Sequence, residues 1–117
     1  MDIESLRQYC LKKKGVEETL PFGPDTLVYK VGGKIFAITG LDAEECSVNL
    51  KCDPEKAMAL REEYPDDIHP GFHMNKKHWN TVHFERGLPD KFLIELLDHS
   101  YSIVLSSLPV RVKQSLQ

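Results

Sequence analysis

Cysteine is scarce in this chain: Cys10, Cys46 and Cys52 are the whole supply, and no two form a C-x-x-C pair. An odd, unpaired set argues against a disulfide scaffold and for reduced thiols, buried as small apolar groups. No apolar run approaches the roughly 20 residues that a membrane-spanning helix needs. The opening MDIESLRQYC lacks an apolar stretch behind a basic start, so a secretory leader is not expected and a cytoplasmic location is. A basic surplus is missing too. The formal net charge is −3, and any grip on a polyanion must come from a local patch on an acidic body. G-x-S-x-G, H-E-x-x-H, a phosphate-cradling glycine loop and a dinucleotide fingerprint are all absent. No reaction is legible, so the expectation is a non-enzymatic protein without a cofactor.

What is present is an ordinary globular balance, 41% hydrophobic and 28% charged over 117 residues. That suits one domain, residues 1–117, with a core needing no staples. Asp2 can cap a first helix, Glu4 sits near its positive end, and Ile3, Leu6, Tyr9 or Cys10, and Leu11 fall at helical spacing. Lys12, Lys13 and Lys14 suit its carbonyl end, and Gly15 stops it.

After Val16 the period shortens to that of strands. TLPFGPDT turns near Gly23-Pro24-Asp25, and TLVYKV puts Leu27, Tyr29 and Val31 on one face. Gly32-Gly33 joins it to KIFAIT as a tight hairpin, and CSVNLK alternates Val48 and Leu50 against Ser47, Asn49 and Lys51. Asp53-Pro54-Glu55 begins a second helix, reaching about Tyr64 with Ala57, Met58 and Leu60 inward. NTVHFE is a strand with Val82 and Phe84 on one face and Thr81 and His83 on the polar one. A long helix from Leu88-Pro89-Asp90 to Pro109 buries Phe92, Leu96, His99 or Tyr101, Ile103 and Leu108, and the tail RVKQSLQ adds a helical turn. The order α-β-β-β-α-β-β-α predicts an α+β fold: a single two-layer domain, an antiparallel sheet with helices on one side.

Chemistry is concentrated in HPGFHMNKKHWNTVHF, His69 to Phe84, with four of the five histidines and the only tryptophan. As a metal site it is poor. His69 and His73 are separated by Pro70 and Gly71 and do not share a helical face, and the nearest cysteine, Cys52, is remote. No metal is expected. Asp66 and Asp67 read as loop residues, not as partners in hydrolysis. From Met74 to Phe84 there are two lysines and no acid, interleaved with Asn75, His78, Trp79, Asn80 and Thr81. Lysines offer point charges to phosphate, amides and hydroxyls offer hydrogen bonds, and an indole can stack on a base. The alternative is structural: Trp79 packed on the sheet with its ring N–H bonded to a carbonyl, beside solvated lysines. His99, in an apolar helix, is expected to be a hydrogen-bonded structural residue.

The ordered set PFGPDTLVYKVGGKIFA (Pro21 to Ala37), VNLKCDPE (Val48 to Glu55), HPGFHMNKKHWNTV (His69 to Val82), LPD (Leu88 to Asp90) and SYSIVLSSLP (Ser100 to Pro109) resembles the MmcQ/YjbR family of small bacterial proteins. The resemblance implies a compact α+β fold likened to the frataxin-type protein CyaY and to type III secretion chaperones. It also implies DNA binding, a label that members commonly carry. The matching motif positions are Lys34, Lys51, Pro70, Asn75, Lys76, His78, Trp79, Asn80, Thr81, Ser100 and Tyr101. Frataxin's iron chemistry does not follow, because a first helix offering only Asp2 and Glu4 before three lysines is no acidic ridge. The expected contact surface is Asn75, Lys76, Lys77, His78 and Trp79, joined by Lys34 and Lys51, with DNA as the partner. The other expectation is a chaperone-like adaptor holding a protein client.

Overall fold

Helix α1 (Ile3–Leu11) starts where the Asp2 side chain accepts the Ser5 amide at 2.8 Å. It buries Leu6 and Cys10, while Leu11 stays 46% exposed. Beyond its end, Gly15 takes φ of 75°, a left-handed conformation natural to glycine. The elements that follow are β1 (Val16–Thr19), β2 (Thr26–Val31), β3 (Lys34–Gly40), β4 (Ser47–Lys51), α2 (Pro54–Glu63), β5 (Ile68–Pro70), β6 (Trp79–His83), α3 (Asp90–Ser107) and α4 (Val110–Ser115). The structure is a computed structural model that describes residues 1–116.

The strands form one antiparallel sheet in the order β1-β2-β3-β4-β6-β5. The α+β architecture agrees with the sequence reading, with one strand more than expected ahead of α2. Strand β1 carries no apolar alternation. Its Glu18 lies opposite inward-facing Tyr29 and is held by two bonds from Arg7, at 2.9 and 3.0 Å, and one from the Tyr29 hydroxyl at 2.8 Å. A charged residue occupies the position that a strand pattern reserves for an apolar one.

Leu27, Tyr29, Val31, Phe36, Val48, Leu50, Val82 and Phe84 turn to the helical side and share one core with Leu6, Cys10, Ala57, Leu60 and α3. The buried stripe of α3 is Leu93, Leu96, Leu97, Ser100 and Val104. The expected Phe92 and Ile103 each lie one position off that stripe, on its flanks, and are half-buried. Met58 is also displaced from the expectation: it is 61% exposed, whereas Ala57 and Leu60 face the core. All three cysteines are buried and unpaired, and burial pushes the Cys10 thiol up to about 12.

A bulge sits in the central hairpin. Tyr29 pairs with Ala37 and Lys30 with Ile35, so Phe36 is the extra residue. Its carbonyl accepts the fully buried Ser100 hydroxyl at 2.5 Å, and the Ser100 Oγ in turn accepts the Lys51 amide at 2.9 Å. One hydroxyl of α3 thus satisfies two backbone groups on different strands. Ser100→Ala leaves both unpartnered inside the core, and each costs about 1–3 kcal/mol. The variant is expected to unfold at markedly lower urea concentration with an unchanged m-value, measured by circular dichroism.

Candidate functional site

The segment between β5 and β6 is shaped by backbone constraints before any side chain reaches solvent. Gly71 donates to the Trp79 carbonyl at 2.8 Å. A Cβ on Gly71 would lie 2.7 Å from Trp79 Cβ, so only glycine allows this approach. His73 turns the chain with φ of 59°. Asn75 Oδ1 accepts the Lys77 amide at 2.9 Å, and its carbonyl accepts the amides of His78 and Trp79. Asn75 therefore builds the turn that presents Lys76 and Lys77.

Arg61, on α2, fastens this turn to the body. Its guanidinium donates to Asn80 Oδ1 at 2.6 Å, to the Trp79 carbonyl at 3.2 Å and to the Lys76 carbonyl. Asn80 is 2% exposed and donates in turn to the Ala57 carbonyl at 3.3 Å. Nothing in the sequence around Arg61 marks it for this task. The only signal was an arginine on a helix preceding a motif rich in carbonyl-presenting turns.

The register places Trp79 directly opposite Lys51. Both belong to the sheet face turned away from the helices, since the residues next to them in each strand, Leu50 and Asn80, are buried on the helical side. Trp79 is half-buried, lies outside the core cluster, and its ring N–H makes no hydrogen bond among the described residues. The expectation of an indole tied down by a carbonyl is therefore not met. Lys76 and Lys77 are exposed, His78 and Lys51 half-buried. Lys34 is different: it lies opposite inward-facing Val31 at the hairpin tip, two strands from β6, and emerges toward the helical side. The fold brings Lys51, Lys76, Lys77 and Trp79 to one end of the open face and leaves Lys34 apart.

Ion pairing elsewhere sharpens that cluster. The described pairs join Arg7 to Glu4 and Glu18, Lys13 to Asp98, Arg86 to Glu45, and the amino terminus to Asp90. Among the described residues no carboxylate lies within ion-pair distance of Lys51, Lys76 or Lys77. Lys76 Nζ instead donates to the Gly71 carbonyl at 3.2 Å.

One row of residues crosses all six strands on the open face: Thr19, Val28, Ile38, Asn49, Thr81 and His69. Over it lies the loop bearing Phe72, whose amide donates to Thr81 Oγ1 at 3.0 Å and whose carbonyl accepts Asn49 Nδ2 at 3.4 Å. Between loop and sheet are two grooves of about 470 and 400 Å³ that share Ile38, Asn49 and Phe72. His69 and His83 stand edge to face at 5.1 Å in the larger one. His83, as expected, is on the polar face, with Nδ1 3.4 Å from Glu45 Oε1. His99 accepts the Asp53 amide through Nε2 at 3.2 Å, the structural role expected of it. No group of three or more metal-ligating side chains occurs among the described residues, and none of the described helices is long and apolar enough to cross a membrane.

The family model described as YjbR matches residues 11–103. The chain is 37% identical to YbdF of Escherichia coli O157:H7 over 108 residues, which is 92% of this chain and 88% of that protein. It is 36% identical to YjbR of Escherichia coli K12 over 109 residues, 93% and 92% of the two chains. Both relatives are described as uncharacterized proteins. Among solved structures, Deinococcus radiodurans DR2400 is similar at a TM-score of 0.91 and 36% identity, over 97% of this chain and 86% of that one. A Pseudomonas syringae protein is similar at 0.77 and 26% identity, over 89% and 99%.

Two outcomes check the site. Arg61→Ala leaves the buried Asn80 Oδ1 without its guanidinium donor, at a cost of about 1–3 kcal/mol. It should also speed amide hydrogen exchange selectively at residues 75–79; exchange unchanged there would contradict the clamp. Burial, with Arg86 and His69 beside it, holds His83 below the ordinary histidine value of 6.5. The unfolded chain binds that proton more readily, so the contribution to stability is full above 6.5 and is lost as pH falls through the folded value. An NMR titration of His83 should find its midpoint below 6.5.

Proposed function

The chain belongs to the YjbR family, and from that premise we propose that it is a non-enzymatic protein that binds nucleic acid, DNA in the first place. The observation carrying this reading is the placement of Lys51 across from Trp79, next to Lys76 and Lys77, with no carboxylate neutralising the three amines. Ammonium groups give affinity through released counterions, and a half-exposed indole adds a flat surface for a base or sugar. The overall charge of −3 makes the contact local. Long-range attraction is weak, and binding depends on those few groups. Lys34 lies outside the surface, and Asn75 serves it by shaping the turn.

A chaperone-like adaptor is the second reading. It is favoured by Phe22 and Phe72, which are 64% and 68% exposed beside the open face. A protein client would cover those rings, and the lysines would be solvated bystanders.

Fluorescence anisotropy with a short labelled duplex at about 50 and 200 mM salt tests the first reading. Binding should weaken steeply across that interval. Replacing Lys76 and Lys77 together by Ala should lower affinity and reduce the salt slope by roughly two. Folded protein that binds no DNA at the lower salt would leave the adaptor as the surviving reading.

A further inference from the structure

The larger groove adjoins the lysine turn, and the same β5–β6 segment supplies its roof and part of its walls. Phe72 roofs it, and Ile38 and Pro70 give it apolar walls. Its volume of about 470 Å³ falls within the range of roughly 300–1,000 Å³ usual for ligand sites. Asn49 and Thr81 spend their polar atoms on each other and on the Phe72 backbone. The Ser47 hydroxyl and the His69 imidazole line the groove as well, and neither side chain has a hydrogen-bond partner among the described residues. The site therefore combines an apolar slot with unspent hydrogen-bonding groups. That is what the face and edge of an unpaired base require.

The groove also has an electrical direction. Lys76 Nζ lies 3.2 Å from the carbonyl oxygen of Gly71, whose neighbours Pro70 and Phe72 both line the groove, so one ammonium stands at the lip. At the other end are carboxylates. Asp42 Oδ1 comes within 3.7 Å of where a Cβ on Gly40 would stand and makes no ion pair among the described residues, whereas Glu45, beside His83, is compensated by Arg86. A phosphodiester is drawn to the first end and repelled from the second. Only one orientation satisfies both: phosphate on the lysine turn, base reaching inward over the sheet.

We infer that the groove roofed by Phe72 receives an unpaired base of single-stranded nucleic acid whose phosphate rests on Lys76 and Lys77. This rests on the nucleic-acid reading above and narrows it, because a base inside a duplex cannot reach the slot. Phe72, at 68% exposure, is free to close on the base without giving up core packing.

Three labelled probes test it at low salt: a strand of about ten nucleotides, its duplex, and a strand of the same length with abasic sites throughout. The intact strand should bind about tenfold more tightly than the abasic one and more tightly than the duplex. Phe72→Ala should erase the preference for the intact strand and leave duplex binding as it was, and His69→Ala should reduce the preference. Replacing Lys76 and Lys77 should weaken all three probes. Equal binding of intact and abasic strands, or a preference that survives Phe72→Ala, would overturn the base in the groove while the phosphate contact stood. Binding of none of the probes would remove both readings together. Self-association lost on Phe72→Ala, without strand binding, would assign the groove to a second copy of this chain and overturn the inference.

Discussion

A single buried hydroxyl ties the helical layer to the sheet at the point where the sheet is irregular. The bulge at Phe36 frees a carbonyl that no strand can pair, and β4 ends at Lys51 with an amide facing the core. Ser100 meets both, donating to one and accepting from the other. An apolar residue there would fill space but leave two polar groups dry, which is why a small hydroxyl outranks a larger side chain at that place on α3. The consequence reaches the other face of the sheet. Fixing the Lys51 backbone also fixes the strand position from which its side chain stands across from Trp79.

The open face depends on a second anchor of the same kind. Arg61 gathers oxygens from Lys76, Trp79 and Asn80 into one fork, so a turn without regular secondary structure is held as firmly as a strand end. Planar guanidinium geometry suits this, since several acceptors can be met in one plane. With the backbone settled internally, the Lys77 side chain is left to solvent, and Lys76 keeps a single bond, to the Gly71 carbonyl. Among the described residues no carboxylate pairs with Lys51, Lys76 or Lys77, so their charge is uncompensated at contact range although the chain carries −3 overall.

Much of the architecture was readable because its signals are local. Asp2, Asp53-Pro54 and Gly32-Gly33 announce helix starts and a hairpin through short-range geometry, and the alternation in TLVYKV and SVNLK reports which face is buried. Strand β1 escaped because its inward residue is Glu18, stabilised by Arg7 and Tyr29 from other elements. The stripe of α3 was displaced by one position at Phe92 and Ile103 because that helix is apolar on more than one side, and size alone does not say which side meets the sheet. For the site, the stretch from His69 to Phe84 was recognisable by composition. What could not be read was its construction. The Arg61 clamp, the half-buried placement of Trp79 and the isolation of Lys34 all depend on contacts between residues far apart in sequence.

The two borders of the sheet carry a different implication. Strand β1 is four residues long and β5 only three, and β5 ends at Pro70, which has no amide to offer. Brief, proline-terminated borders give a neighbouring polypeptide almost no backbone ladder to extend. A molecule that leaves apolar rings such as Phe22 and Phe72 in water thereby still lacks a template for stacking into fibrils, and can keep a sticky surface in crowded solution without polymerising along its margins.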